Sequence, residues 1–141
     1  MTILTRTESE TTDAGAAFAR ALQPGDVVLL YGDLGAGKTA FVRGLARGVG
    51  ADADDVSSPT FTIIQEYPGA SATLFHVDLY RLEPVEVDDL GLEDLVESGG
   101  IVAVEWADRW AGRPADVHEV RIEMGPDDTR TIDARKRATG D

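Results

Sequence analysis

The stretch VVLLYGDLGAGKTAFV, residues 27–42, constrains this chain more than any other segment. Val27 to Tyr31 is an unbroken apolar run, as a strand buried on both faces of an α/β sheet requires. Gly32, Gly35 and Gly37 follow, then Lys38 and Thr39. Beyond them Phe41, Val42, Leu45, Ala46 and Val49 recur at helical spacing until Gly48 and Gly50 stop the pattern. A loop that keeps three glycines needs φ angles or a backbone approach that a Cβ would forbid, because glycine is otherwise entropically costly. Gly-x-x-x-x-Gly-Lys-Thr between a strand and a helix is the phosphate-cradling pattern. Main-chain N–H groups wrap the phosphates, the lysine reaches the terminal oxygens and the threonine hydroxyl holds Mg2+. The bland alternative is a glycine-rich turn; against it, Lys38 and Lys136 are the only lysines among 13 Lys and Arg residues. The candidate nucleotide-binding set is Asp33, Gly35, Ala36, Gly37, Lys38, Thr39 and Ala40.

A length of 141 residues is one domain's worth, so residues 1–141 are read as a single unit whose last few residues fray. With 43% hydrophobic and 28% charged residues the composition is that of a soluble globular protein, and the absence of cysteine excludes disulfides and thiolate chemistry. The start MTILTRTESE lacks an apolar leader and no stretch approaches a membrane span, which makes the cytoplasm the default and a membrane partner unexpected. A formal charge of −13 argues against a broad grip on nucleic acid; if RNA matters, a partner holds it.

Along the chain, TESETTDAGAAFARAL places Ala14, Ala17, Phe18, Ala21 and Leu22 on one helical stripe, with Thr7 and Glu10 as a capping box. TFTIIQEY and TLFHVDLY read as strands joined at PGAS. In the second, His76, Asp78 and Tyr80 share a face turned to a cleft or solvent. The acidic EPVEVDDLGLEDLVESGG predicts two short helices, IVAVE a second buried strand, and EVRIEM with TRTIDA a terminal hairpin around GPDD. The resulting order, α-β-α-β-β-α-β-β-β, predicts a three-layer α/β P-loop nucleotide-binding domain with a mixed parallel and antiparallel sheet.

A phosphate loop binds but does not by itself hydrolyse; phosphoryl transfer also needs a metal held by carboxylates and an aligned water. Glu105 closes IVAVE, and a buried strand delivers its C-terminal residue to the ligand edge of such a sheet. Asp78, in HVDLYR, is a second candidate. For each the alternative is a capping acid or an ion pair with Arg81 or Arg109. Thr60, in SSPTFT, resembles a switch threonine that would add a hydroxyl to Mg2+. Trp106 either stacks on a purine or fills the core, the commoner fate of tryptophan. His76 reads as a satisfied structural histidine, and Arg81 as either a cis arginine finger or a partner of Asp78. The chain contains no asparagine, so it lacks an Asn-Lys-x-Asp reader of guanine, which favours adenine.

GDLGAGKT, SPTFTIIQEY, FHVDLYRL and VEWADR, in this order and spacing, resemble the TsaE (YjeE) family across nearly the whole chain. The resemblance implies an ATPase of tRNA threonylcarbamoyladenosine formation that acts with TsaB and TsaD and meets tRNA indirectly. It implies that Gly35 to Thr39 embrace ATP or ADP, that Thr39 and Glu105 serve Mg2+, and that Lys38, Asp78 and Glu105 carry catalysis. Thr60 would lie in the switch region and Thr11 near the adenine. Phe61, where tyrosine is common, Ala107 and Asp108 after the tryptophan, and a short C-terminus depart from the family pattern. A small-molecule kinase needs a lid with several arginines, and Arg43, Arg47, Arg81, Arg109 and Arg113 are scattered. An adaptor whose ATP state only gates assembly is the third reading.

Overall fold

The computed structural model describes residues 2–32, 37–52 and 63–137; Asp33, Gly35, Ala36, Thr60, Phe61 and residues 138–141 lie outside the described residues. The elements run β1 (Thr2–Thr5), α1 (Glu8–Arg20), β2 (Val27–Tyr31), α2 (Lys38–Gly48), β3 (Ile64–Pro68), β4 (Thr73–Asp78), α3 (Pro84–Asp88), α4 (Leu92–Glu97), β5 (Ile101–Glu105), β6 (Val117–Met124) and β7 (Arg130–Arg137). One seven-stranded sheet has the order β1-β7-β6-β2-β5-β4-β3. Its centre, β4-β5-β2-β6, is parallel, while β3, β7 and β1 pair antiparallel at the two sides. This is the expected mixed α/β architecture.

The alternation of strand side chains sorts the core into two layers. Val28, Leu30, Leu74 and Ala103 pack against Phe41, Val42, Leu45 and Ala46 of α2. Val27, Leu29, Val77, Val102 and Val104 pack on the opposite face against Val87 of α3, Leu92 of α4 and Trp110. Both faces of β2 and β5 are therefore apolar, which is why each reads as a continuous hydrophobic run. The two short helices and both hairpins form where the sequence places them.

Three local expectations are corrected. The N-terminal strand β1 pairs with β7, Thr2 opposite Asp133, and does not appear in the sequence-derived order. Four β-prone residues carry too little periodicity to declare a strand whose partner lies at the other end of the chain. The fully buried face of α1 is Thr11, Thr12, Gly15, Ala16 and Ala19; of the expected stripe Ala14, Phe18 and Leu22 pack partly buried against the core, whereas Ala17 and Ala21 are exposed. The contact face is chosen by size: a Cβ on Gly15 would lie 2.3 Å from the Phe41 carbonyl oxygen, and one on Gly44 2.0 Å from that of Thr12. Backbone approach that close selects small residues over the larger apolar ones. The capping box is half formed: Glu10 N–H donates to Thr7 Oγ1 at 3.0 Å, but the Glu10 carboxylate accepts from Arg6 N–H rather than from Thr7. Among the described residues, no helix is long and apolar enough to cross a membrane.

Candidate functional site

Parallel strands deliver their last residues to one edge of the sheet, and here that edge collects the charged groups. Glu105 stands in register with Leu30 of β2 on one side and Asp78 of β4 on the other. Every residue of β5 is buried, Glu105 included at 7% exposure. Beyond Tyr31 the chain enters the glycine segment. It emerges at Gly37, whose φ of 104° is left-handed and which caps α2 without a side-chain hydrogen bond. No acid occupies the first turn of α2. The N–H groups of a helix's first turn have no partners within the helix, and they lie at the positive end of its dipole, an arrangement that attracts anions.

Lys38, the first residue of α2, places Nζ 3.3 Å from Glu105 Oε1. The other carboxylate oxygen, Oε2, lies 2.7 Å from His76 Nε2, in a fully buried contact. Burial pushes the Glu105 carboxyl up, but the hydrogen bond and charge of His76 and the Lys38 ammonium together outweigh it and hold Glu105 below the usual carboxylate range. Asp78 is shifted the other way. Burial raises it and the Glu105 charge adds to the rise, opposed by the Tyr80 N–H that donates to Oδ1 at 3.0 Å and by His76 and Lys38. Two carboxylates on adjacent strands are thereby pushed apart in acidity, the pattern of groups with different roles.

The structure brings Lys38, Glu105 and Asp78 together and starts Thr39 and Ala40 in the same first turn of α2. Asp33, Gly35, Ala36 and Thr60 lie outside the described residues. Glu105 pairs with Lys38 and His76, not with an arginine as the alternative reading had it. Arg109 instead donates to the carbonyls of Tyr80 and Leu82. His76 differs from the structural histidine expected: Nε2 engages Glu105 and Nδ1 has no partner among the described residues. Nor does the face of His76, Asp78 and Tyr80 open evenly to a cleft; it grades from fully buried at His76 to 55% exposed at Tyr80. Trp106 is not the core tryptophan: it is 41% exposed with φ 61°, while Trp110 is buried. Its ring packs on Tyr80, with the Arg109 guanidinium 5.4 Å from the ring centre. A bulky residue with positive φ beside a candidate catalytic acid is strain at a place where function tends to concentrate.

Sequence reasoning missed Arg130. A Cβ on Gly37 would lie 3.8 Å from Arg130 Nε and 3.6 Å from Thr11 Cγ2, so both residues flank the end of the glycine segment. Arg130 comes from β7, some ninety residues downstream of the motif, and no local pattern points to it. The Thr11 hydroxyl is engaged internally with Thr5 Oγ1 at 2.8 Å and with the Thr7 carbonyl. Among the described residues, Glu105, Asp78 and Thr39 offer carboxylate and hydroxyl oxygens, which suit a hard cation such as Mg2+, an ion that takes one or two protein ligands beside phosphate oxygens; the His76 imidazole is engaged with Glu105.

A Gly-x-x-x-x-Gly-Lys-Thr segment between a buried central strand and a helix, whose lysine meets the carboxylate that ends a neighbouring parallel strand, is the pattern of the P-loop class of α/β proteins. The family model described as Threonylcarbamoyl adenosine biosynthesis protein TsaE matches residues 5–134. The chain belongs to the TsaE family, whose members are proteins of tRNA threonylcarbamoyladenosine biosynthesis. It is 46% identical to the tRNA threonylcarbamoyladenosine biosynthesis protein TsaE of Bacillus subtilis, over 83% of this chain and 72% of that one. Against the TsaE of Treponema pallidum it is 37% identical over 94% and 98% of the two chains. The crystal structure of Bacillus subtilis YdiB superimposes with a TM-score of 0.79 at 33% identity, covering 98% of this chain and 85% of that chain.

Proposed function

We propose that this chain is a Mg2+-dependent ATPase that serves threonylcarbamoyladenosine formation on tRNA, acting with TsaB- and TsaD-like partners in the cytoplasm. The observation that carries the reading is the Lys38–Glu105 pair. The lysine of a Gly-x-x-x-x-Gly-Lys-Thr motif touches the carboxylate that ends a buried parallel strand.

In this reading the loop residues Asp33, Gly35, Ala36 and Gly37 and the first turn of α2, Lys38 to Ala40, receive the phosphates of ATP or ADP. Lys38 leaves Glu105 to do so. Thr39 and Glu105 would supply oxygens to hold Mg2+, which when bound would neutralise phosphate charge. Asp78, held less acidic than Glu105, orients the attacking water, and Thr60 joins the metal shell from its loop. Arg130 adds a cation at the end of the cradle. An acidic chain of net charge −13 leaves the tRNA to its partners.

Reconstituted tRNA modification over many cycles tests this. Wild-type chain sustains turnover, and Glu105→Gln, while still binding ATP, does not. Modification that survives in Glu105→Gln favours a nucleotide-gated adaptor, and ATP-dependent phosphorylation of a small metabolite would favour a kinase.

A further inference from the structure

We propose that His76 is the positioning residue of Glu105: its imidazole pins one carboxylate oxygen so that the other stays presented to Lys38 and to the metal. The inference rests on the Mg2+-ATPase reading above. His76 is fully buried in β4, two residues before Asp78. Its cross-strand neighbour in β5 is Ala103. A small side chain there leaves room for the ring to reach diagonally to Glu105, a reach that long or aromatic side chains make across paired strands. Nε2 meets Oε2 at 2.7 Å, and Lys38 meets Oε1 at 3.3 Å.

A purely structural histidine satisfies both ring nitrogens, because an unpartnered buried polar atom is costly. Here Nδ1 has no partner among the described residues, and the hydrogen bond the ring makes goes to Glu105. The position lies against the apolar layer under α2, where leucine or methionine would fill the same space without that cost.

The consequence concerns competition for Lys38. When Lys38 turns to a phosphate, a carboxylate free to rotate follows the ammonium and stays paired with it. One held at Oε2 stays behind with Oε1 exposed to the cation. Partners that orient a metal-binding carboxylate change metal affinity by about 10–100-fold.

The test is calorimetric titration of the full chain with ADP, in EDTA and then across a Mg2+ series. His76→Leu is expected to raise the Mg2+ concentration for half-maximal enhancement of ADP binding by about 10–100-fold and to leave metal-free ADP affinity unchanged. His76→Gln, whose amide N–H reaches close to the Nε2 position, is expected to restore most of the metal response. Should the leucine variant not fold, His76→Met supplies the apolar comparison. A folded apolar variant with the wild-type Mg2+ response overturns the proposal, as does equal loss of metal-free ADP binding or failure of His76→Gln to restore the response. A wild-type chain that binds no ADP removes the ATPase reading and this inference with it; wild-type binding with a metal response indifferent to His76 removes this inference alone.

Discussion

Lys38 and Glu105 form an ion pair between the first residue of α2 and the last residue of β5, at 3.3 Å and with both side chains nearly buried. Each neutralises the other, and the His76 hydrogen bond together with the Lys38 ammonium holds the Glu105 carboxyl below the usual carboxylate range. On the ATPase reading, phosphate binding would exchange one anionic partner of Lys38 for another.

Lys38→Ala removes the ammonium and is expected to weaken ATP binding by about 10–100-fold, the worth of one charge-assisted contact. Glu105→Gln is expected to keep binding and to lower turnover by roughly 100-fold or more. Calorimetry and phosphate-release assays on both variants separate the roles. An ATP affinity unchanged in Lys38→Ala would remove the phosphate-cradle reading.

Asp78 and Glu105 predict opposite pH signatures in the nucleotide- and metal-free protein. The Asp78 carboxyl is raised in the fold, so its contribution to stability is fully present below the unfolded value, about 3.9, and is lost as pH rises through the higher folded value. Near neutral pH its charge therefore disfavours the folded state, and Asp78→Asn is expected to raise Tm while turnover falls. Glu105 is lowered in the fold, so its contribution is present above the unfolded value, about 4.3, and is lost as pH falls through the lower folded value. Urea midpoints of wild type, Asp78→Asn and Glu105→Gln between pH 3 and 8 check both signs. A lower Tm for Asp78→Asn at neutral pH would contradict the first.

Gly44→Ala sets two effects against each other. Alanine gains about 1 kcal/mol of helix propensity over glycine. Its Cβ, however, would sit 2.0 Å from the Thr12 carbonyl oxygen and 2.8 Å from Ala16 N, both of them backbone that cannot step aside. Overpacking of this kind costs about 1–3 kcal/mol or more, so the variant is expected to be net destabilised, read as a lower urea midpoint. A midpoint equal to or above wild type would show that α1 and α2 separate cheaply.

Arg130→Ala is expected to raise the KM for ATP by about 10-fold with little effect on kcat, because its guanidinium flanks Gly37 rather than Asp78 or Glu105. Steady-state kinetics check this, and a selective fall in kcat would place Arg130 in the chemical step instead.

Much was fixed by local chemistry. Val27 to Tyr31 and Ile101 to Glu105 announce buried central strands because burial on both faces demands unbroken apolar runs, and the glycine directly before Lys38 holds a φ of 104° that a Cβ disfavours. The identity of Glu105 as a strand-end acid at the site is legible for the same reason. Tertiary packing alone decided the rest. The register of β4 on β5 aligns Asp78 with Glu105 and lets His76 reach the same carboxylate. The α1 contact face follows from how closely two backbones approach at Gly15 and Gly44, not from the hydrophobicity of single residues. The pairing of β1 with β7, and the arrival of Arg130 beside Gly37, join segments from opposite ends of the chain. No periodicity within a short window encodes such contacts, because their energy exists only once the intervening chain has folded between them.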